Sequence, residues 1–184
     1  MQLDIATYPN FKDCDSLDTF CALRPDASLH FAEYLGLKTV EFTTIKADLA
    51  EERMLKVRQT YGSEGEVFYF LDSNGNVIGL LKKKTAWYVL LRAIREKIRS
   101  TLAAWAKNPS ESVSVRAQKC QKRLEEIQKW LGFSDSYLLQ WVKLSNGFFM
   151  WLKESQIKSM HGDFPQIWKK YLLHTNQSDV VAWE

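Results

Sequence analysis

An α+β fold is predicted for this chain, with strands confined to the part before residue 85 and helices alone after it. Three observations predict it. The turn signal Ser73-Asn74-Gly75-Asn76 separates two stretches, Glu64–Asp72 and Val77–Lys84, that read as the arms of a β-hairpin. After Thr85, apolar residues recur every three or four positions through successive stretches, the period of amphipathic helices. Charge is segregated in the same way: residues 82–132 carry 13 basic and 4 acidic side chains, whereas residues 1–63 carry 7 and 10.

The 184 residues suffice for one ordinary domain or two small ones. No apolar run approaches the roughly 18–20 residues of a membrane span. Met1-Gln2-Leu3-Asp4 has no basic and apolar leader pattern, so no signal peptide and no membrane partner are expected. Cys14, Cys21 and Cys120 have no metal-ligand spacing and are read as reduced thiols. An intracellular protein, cytoplasmic or nuclear, is therefore expected. The basic block suits a polyanion, although a solvated lysine-rich helical surface has the same composition.

Taken in order, Leu3-Asp4-Ile5-Ala6 reads as a short strand and residues up to 24 as irregular. Asp26–Leu35 reads as a helix capped by Asp26 and ended by Gly36. In Lys38–Ile45, Val40 and Phe42 alternate with polar residues, which predicts a strand with one buried face. Asp48 with Glu51 predicts a capping box, opening a helix that Gly62 stops. After the hairpin, Thr85 caps a helix with the stripe Trp87, Leu91, Ile94, Ile98, Leu102 and Trp105, which must end near Asn108 because Pro109 follows. Asn108-Pro109-Ser110-Glu111 is read as the start of a second helix, with Cys120, Leu124 and Ile127 on its stripe and Gly132 at its end. Ser134 caps a third helix that buries Leu138, Trp141, Leu144, Phe148 and Leu152. A short helix follows around Ile167–Leu173, and residues 176–184 form a loose tail. The aromatic residues on these stripes are read as core rather than as base-stacking surfaces.

Strand alternation puts Lys82 and Lys84 on one face and Lys83 on the other. Two ammonium groups about 7 Å apart can clamp a phosphate chain, but edge strands also carry lysines simply to block aggregation. Glu64, at the start of the facing strand, could help bind a divalent metal or could form an ordinary cross-strand pair with lysine. Register discriminates between geometries. A two-residue Asn74-Gly75 loop turns Glu64 away from the lysines. A three-residue Ser73-Asn74-Gly75 loop, with Gly75 left-handed, sets Glu64 opposite Lys84 and Glu66 opposite Lys82. Farther on, Arg92, Arg95 and Arg99 share one helix face, as do Arg116, Lys119 and Arg123. Together these six cations could form a platform for an RNA backbone.

Glu64-Gly65-Glu66-Val67, a hairpin, and Lys82-Lys83-Lys84-Thr85-Ala86-Trp87-Tyr88 resemble the fourth and fifth motifs of ATP-dependent RNA ligases. The bacteriophage RNA ligase 1-like group, which includes tRNA-repair ligases, is the most similar type. The resemblance implies that residues 1–85 are the C-terminal part of an antiparallel-sheet nucleotidyltransferase domain and residues 86–175 its helical RNA-binding appendage. It implies ATP and Mg²⁺ (or Mn²⁺) as cofactors, and tRNA-like or broken single-stranded RNA as partner. It further implies α-phosphate contacts from Lys82 and Lys84 and metal binding by Glu64. The family joins an RNA 5′-phosphate to a 3′-hydroxyl through a lysine–AMP and an RNA-adenylate. The K-x-D-G motif that supplies that lysine occurs nowhere in the chain, and Glu66 stands where an apolar or aromatic residue is usual. The chain is thus expected to be an incomplete ligase lacking a catalytic nucleophile, or alternatively a non-catalytic RNA-binding protein with a relict nucleotide site.

Overall fold

Pro25, whose ring fixes φ and whose missing N–H costs nothing in a first turn, opens helix α1 (Pro25–Tyr34). The computed structural model to which α1 belongs describes residues 24–155, 157 and 163–179. The expected strand at Leu3–Ala6 lies outside them. A single 3₁₀ turn (Ala47–Leu49) leads into α2 (Ala50–Gln59). Strands β1 (Gly65–Leu71) and β2 (Val77–Lys84) form a two-stranded sheet. Four helices follow: α3 (Ala86–Lys107), α4 (Val113–Leu131), α5 (Asp135–Glu154) and α6 (Phe164–His174). Among the described residues the fold is therefore α+β in composition, with one hairpin and six α-helices. None of those helices is long and apolar enough to cross a membrane.

The chain divides into two compact units. Among the described residues, one comprises those up to Val57 with Glu66–Lys83, the other Arg58–Gly65 with those from Lys84 onward.

In the first unit the hairpin tip determines the strand register. Asp72 N–H donates to Asn76 C=O at 2.9 Å and Gly75 N–H to Asp72 C=O at 3.0 Å, which closes a loop of Ser73, Asn74 and Gly75. Gly75 has φ +83°, the left-handed region that favours glycine. This is the three-residue alternative; at the far end of the hairpin the Glu64 C=O accepts from Thr85 N–H, and the Glu64 and Lys84 side chains pair at 2.7 Å. The Asp72 carboxylate stiffens the tip, accepting from the backbone N–H of Asn74 (2.9 Å) and Asn76 (2.8 Å) and from Asn76 Nδ2 (3.0 Å). Glu66 does not turn to Lys82. Arg53 from α2 takes it in a two-pronged pair, with Nε to Oε2 at 3.0 Å and Nη2 to Oε1.

Three expectations fail in this unit. Residues 38–45 form no strand. An extended segment needs a ladder partner for its amides, and the only described sheet contains β1 and β2 alone. Val40 and Phe42, expected on a buried face, are 69% and 49% exposed. Asp26 does not cap α1. It lies inside the first turn, bound to the Arg24 guanidinium at 2.6 Å, and Arg24 is the N-cap residue. The Asp48–Glu51 capping box is absent too, because the chain enters α2 through the 3₁₀ turn, which starts after Lys46 and has no side-chain cap.

The second unit has a continuous apolar core. α3 packs on α4, α4 on α5, and α5 on α6. Thr85 caps α3 by accepting from Tyr88 N–H at 3.1 Å, and Ser134 caps α5 by accepting from Tyr137 N–H at 3.3 Å. The start of α4 is displaced from the expected Asn108-Pro109: Ser112 is the cap, accepting from Ser114 N–H at 3.2 Å. Asn108 instead ends α3, donating its N–H to Ala104 C=O. Gly132 has φ +76°, and Gln128 Nε2 closes the α4–α5 turn by donating to Phe133 C=O and to Asp135 Oδ1.

Phe148 is the centre of an aromatic cluster, edge-on to Trp168 at 4.9 Å and beside Tyr171 at 4.9 Å. Tyr171 is fully buried and donates to Leu144 C=O at 2.9 Å across Gly147, where a Cβ would meet its hydroxyl at 2.5 Å. Burial pushes the Tyr171 phenol up to about 12 and the Cys120 thiol to about 12 as well, so both stay neutral at ordinary pH. The expected loose tail is anchored as far as it is described. Asp179 accepts from the indole N–H groups of Trp87 (3.2 Å) and Trp168 (3.3 Å), which ties this residue to both α3 and α6.

The hairpin tip should respond to acid in a defined direction. Hydrogen bonds from the Asn76 side chain, first of all, and from backbone N–H groups hold Asp72 below its usual 3.8. A depressed carboxylate contributes stability above its unfolded pKa and loses it as pH falls through the folded value. The Asn74 and Asn76 amide resonances should therefore shift together on acidification, with a midpoint below 3.8. A midpoint at or above that value would mean that the carboxylate does not hold the tip.

Candidate phosphate-binding cleft

Lys84 is the last residue of β2 and Thr85 the cap of α3, so the strand passes into the helix without a loop. The Thr85 hydroxyl, fully buried, donates to Ser63 C=O at 2.8 Å while accepting from Tyr88 N–H, and the Thr85 N–H donates to Glu64 C=O at 3.0 Å. Arg58 Nη1 donates to the Lys84 carbonyl at 2.9 Å. These bonds fix the backbone from which the Lys84 side chain projects. Its ammonium contacts Glu64 Oε1 at 2.7 Å and lies 4.7 Å from the centroid of the Tyr88 ring.

Beyond Lys84 the helix period does the positioning. Lys84, Tyr88, Arg92 and Glu96 stand four residues apart and so share one stripe. With Val89 and Ala93 of α3 and Arg123 and Ile127 of α4, they line a cleft of about 230 Å³. Three cations thus face one space. Each also has an exposed carboxylate beside it: Glu64 for Lys84, Glu96 for Arg92 at 2.9 Å, and Glu126 for Arg123 at 2.7 Å. The hydrogen bond to Glu96 is the main cause of the raised Arg92 pKa, and the Glu64 charge adds to it. Solvent-exposed pairs of this kind are worth about 0–1 kcal/mol, so an incoming phosphate can take the cations from their carboxylates at small cost.

The sequence-derived residues are distributed unevenly around this cleft. Lys84, Arg92 and Arg123 line it, with Glu64 bound to Lys84. Lys82 is exposed in the first unit and is not a lining residue. Arg99 and Lys119 are exposed, also outside the lining. Arg116 is 17% exposed and bound to Glu111 at 2.6 Å, a side chain committed to the protein itself. The Arg95 Nε is buried without a hydrogen-bond partner. The six-cation platform is accordingly reduced, at this cleft, to Arg92 and Arg123.

Sequence reasoning named Tyr88 in the motif, Glu96 beside the arginines and Ile127 on the apolar stripe, but placed none of them at a cleft. The four-residue spacing Lys84-Tyr88-Arg92-Glu96 could have placed the first two, had the strand's last lysine been treated as continuous with the helix. Trp87 was expected on the core stripe. Its ring is half-buried, edge-on to Tyr61 at 5.4 Å, and its N–H goes to Asp179.

For a divalent cation the available donors are few. Among the described residues no three His, Cys, Asp or Glu side chains cluster as a metal site. Mg²⁺ characteristically takes only one or two carboxylates and completes its shell with water and substrate phosphate. Glu64 offers one such carboxylate, and it is paired with Lys84. No family model, no curated protein and no solved structure matches this chain.

Replacing Thr85 by Val keeps the shape of the side chain and removes both of its hydrogen bonds. The Tyr88 N–H and the Ser63 C=O would lose their partner in a buried setting, at a cost of about 1–2 kcal/mol. Chemical denaturation of T85V should show that loss; a midpoint equal to the parent's would mean that the hydroxyl does not hold the strand–helix junction.

Proposed function

We propose that the chain is an RNA-ligase-type nucleotidyltransferase segment that binds RNA or nucleotide phosphate in the α3–α4 cleft. One observation carries this reading. Lys84, the last lysine of the K-x-K-T-x-W-Y motif, lines the same cleft as Arg92 and Arg123, two cations proposed on separate grounds as RNA contacts. The last lysine of the motif and one arginine from each basic helix therefore line one cleft.

In this reading Lys84 takes a phosphate oxygen as a point charge, and Arg92 and Arg123 offer planar donor forks to further oxygens. Tyr88 confines the Lys84 ammonium by lying beside it. Glu64, paired with Lys84, would supply a carboxylate to Mg²⁺ beside the same phosphate. ATP, when bound, would supply the adenylyl group. Lys82 keeps its proposed α-phosphate role through the motif alone, without support from the cleft geometry.

The missing K-x-D-G motif favours a second reading, in which the chain binds RNA without catalysing its joining. Incubation with α-labelled ATP and Mg²⁺ tests whether the chain carries a nucleophile. A covalent AMP adduct would assign the nucleophile to this chain, and no adduct is expected because the nucleophile motif is absent.

Phosphate binding itself is tested by charge reversal. R92E and R123E should each weaken binding of 5′-phosphorylated single-stranded RNA and lower the slope of log affinity against log salt by about 1. Affinity and slope equal to the parent's, in variants whose thermal unfolding matches the parent, would remove the cleft from consideration.

A further inference from the structure

Trp130 is the one tryptophan among the described residues with most of its side chain in water: it is 71% exposed. The other described tryptophans are buried or half-buried. So large an apolar side chain left in solvent calls for a partner. Its neighbours indicate which kind. Arg123, Ile127 and Trp130 follow one another at steps of four and three along α4, so they share one helix face. The first two line the cationic cleft. Trp130 therefore stands on the continuation of the cleft wall, about 10 Å along the helix from Arg123.

Arg58 joins the two places. Its guanidinium carbon lies 5.8 Å from the centroid of the Trp130 ring, while its Nη1 donates to the carbonyl of Lys84. One residue thus holds the backbone of the cleft lysine and lies over the tryptophan ring. With a single guanidinium over it, the indole keeps most of its surface open. A planar ring beside cations is the arrangement that receives a nucleobase whose phosphate is held nearby.

We infer that Trp130 is a base-stacking residue, receiving a base of a single-stranded RNA whose backbone phosphate occupies the Lys84–Arg92–Arg123 cleft. The inference rests on the phosphate-binding reading above and adds to it a contact to the base, which an unpaired strand can make and a free anion cannot. Stacking is indifferent to base identity, because every base has a π face, so little sequence preference follows. Arg58 is a positioning residue here, acting through the ring and the Lys84 carbonyl.

Fluorescence anisotropy with a short 5′-phosphorylated, dye-labelled oligoadenylate, and with an abasic strand of the same length and charge, tests this. W130A should weaken oligoadenylate binding about 5- to 150-fold, the range for one stacked base, with the salt slope unchanged. W130F should recover most of the loss, and neither variant should alter binding of the abasic strand. Equal oligoadenylate affinity in W130A and the parent would overturn the stacking role while leaving phosphate binding intact, provided R92E still weakens both strands. Equal weakening of both strands by W130A would make its effect structural and overturn the inference too. If the parent chain binds neither strand, the phosphate reading and the stacking role fall together.

Discussion

The buried hydroxyl of Thr85 is the interaction on which the functional geometry depends. It has no exposure, and it bonds in two directions, to the carbonyl of Ser63 and from the amide of Tyr88. A hydroxyl can do this because it is both donor and acceptor. The first bond holds the segment that carries Glu64, and the second starts α3. Lys84 is fixed between them, with its own carbonyl taken by Arg58. From there the helix period carries Tyr88, Arg92 and Glu96 into line without any further loop to position them. A flexible connection at this point would separate the motif lysine from the helix cations.

The cleft is balanced rather than bare. Each of its three cations has a carboxylate within hydrogen-bond reach, and all three pairs are substantially exposed. Such pairs keep the cationic side chains extended and oriented at little energetic cost. Arg116 is the opposite case: held by Glu111 and mostly buried, it would have to break a sheltered pair to meet a ligand. Exposure, rather than charge alone, thus separates the cations that can exchange partners from those that serve the fold.

Much of the helical part was legible in the sequence because apolar periodicity and capping residues agree there. Thr85, Ser134 and Gly132 mark helix ends as expected, and Ile94, Ile98, Trp141 and Phe148 are fully buried. The three-residue loop was legible as one of two alternatives, and the backbone hydrogen bonds from Asp72 N–H to Asn76 C=O and from Gly75 N–H to Asp72 C=O decide it. The apparent strand at residues 38–45 was misleading. Alternation describes a face, but a strand exists only when another strand accepts its hydrogen bonds, and no described strand does so. The α4 boundary was misread because Asn108-Pro109 has good start signals that Ser112 overrides. At the cleft, the sequence pointed to Lys84, Glu64, Arg92 and Arg123 but could not tell them from Arg95, Arg99, Arg116 and Lys119. That distinction depends on how α3 and α4 pack, which a one-dimensional charge pattern does not contain. Trp130 was missed for the same reason: it lies beside the apolar stripe, and its exposure is a property of the packed bundle.

The central claim is that one phosphate site lies between α3 and α4 at the end of β2. Titrating inorganic pyrophosphate while observing side-chain and backbone resonances tests it without RNA, ATP or catalysis. The account predicts saturable shifts concentrated on Lys84, Tyr88, Arg92 and Arg123, with Trp130 unmoved. Shifts centred on Arg99 and Lys119, or none at pyrophosphate concentrations that move ordinary surface lysines, would contradict it.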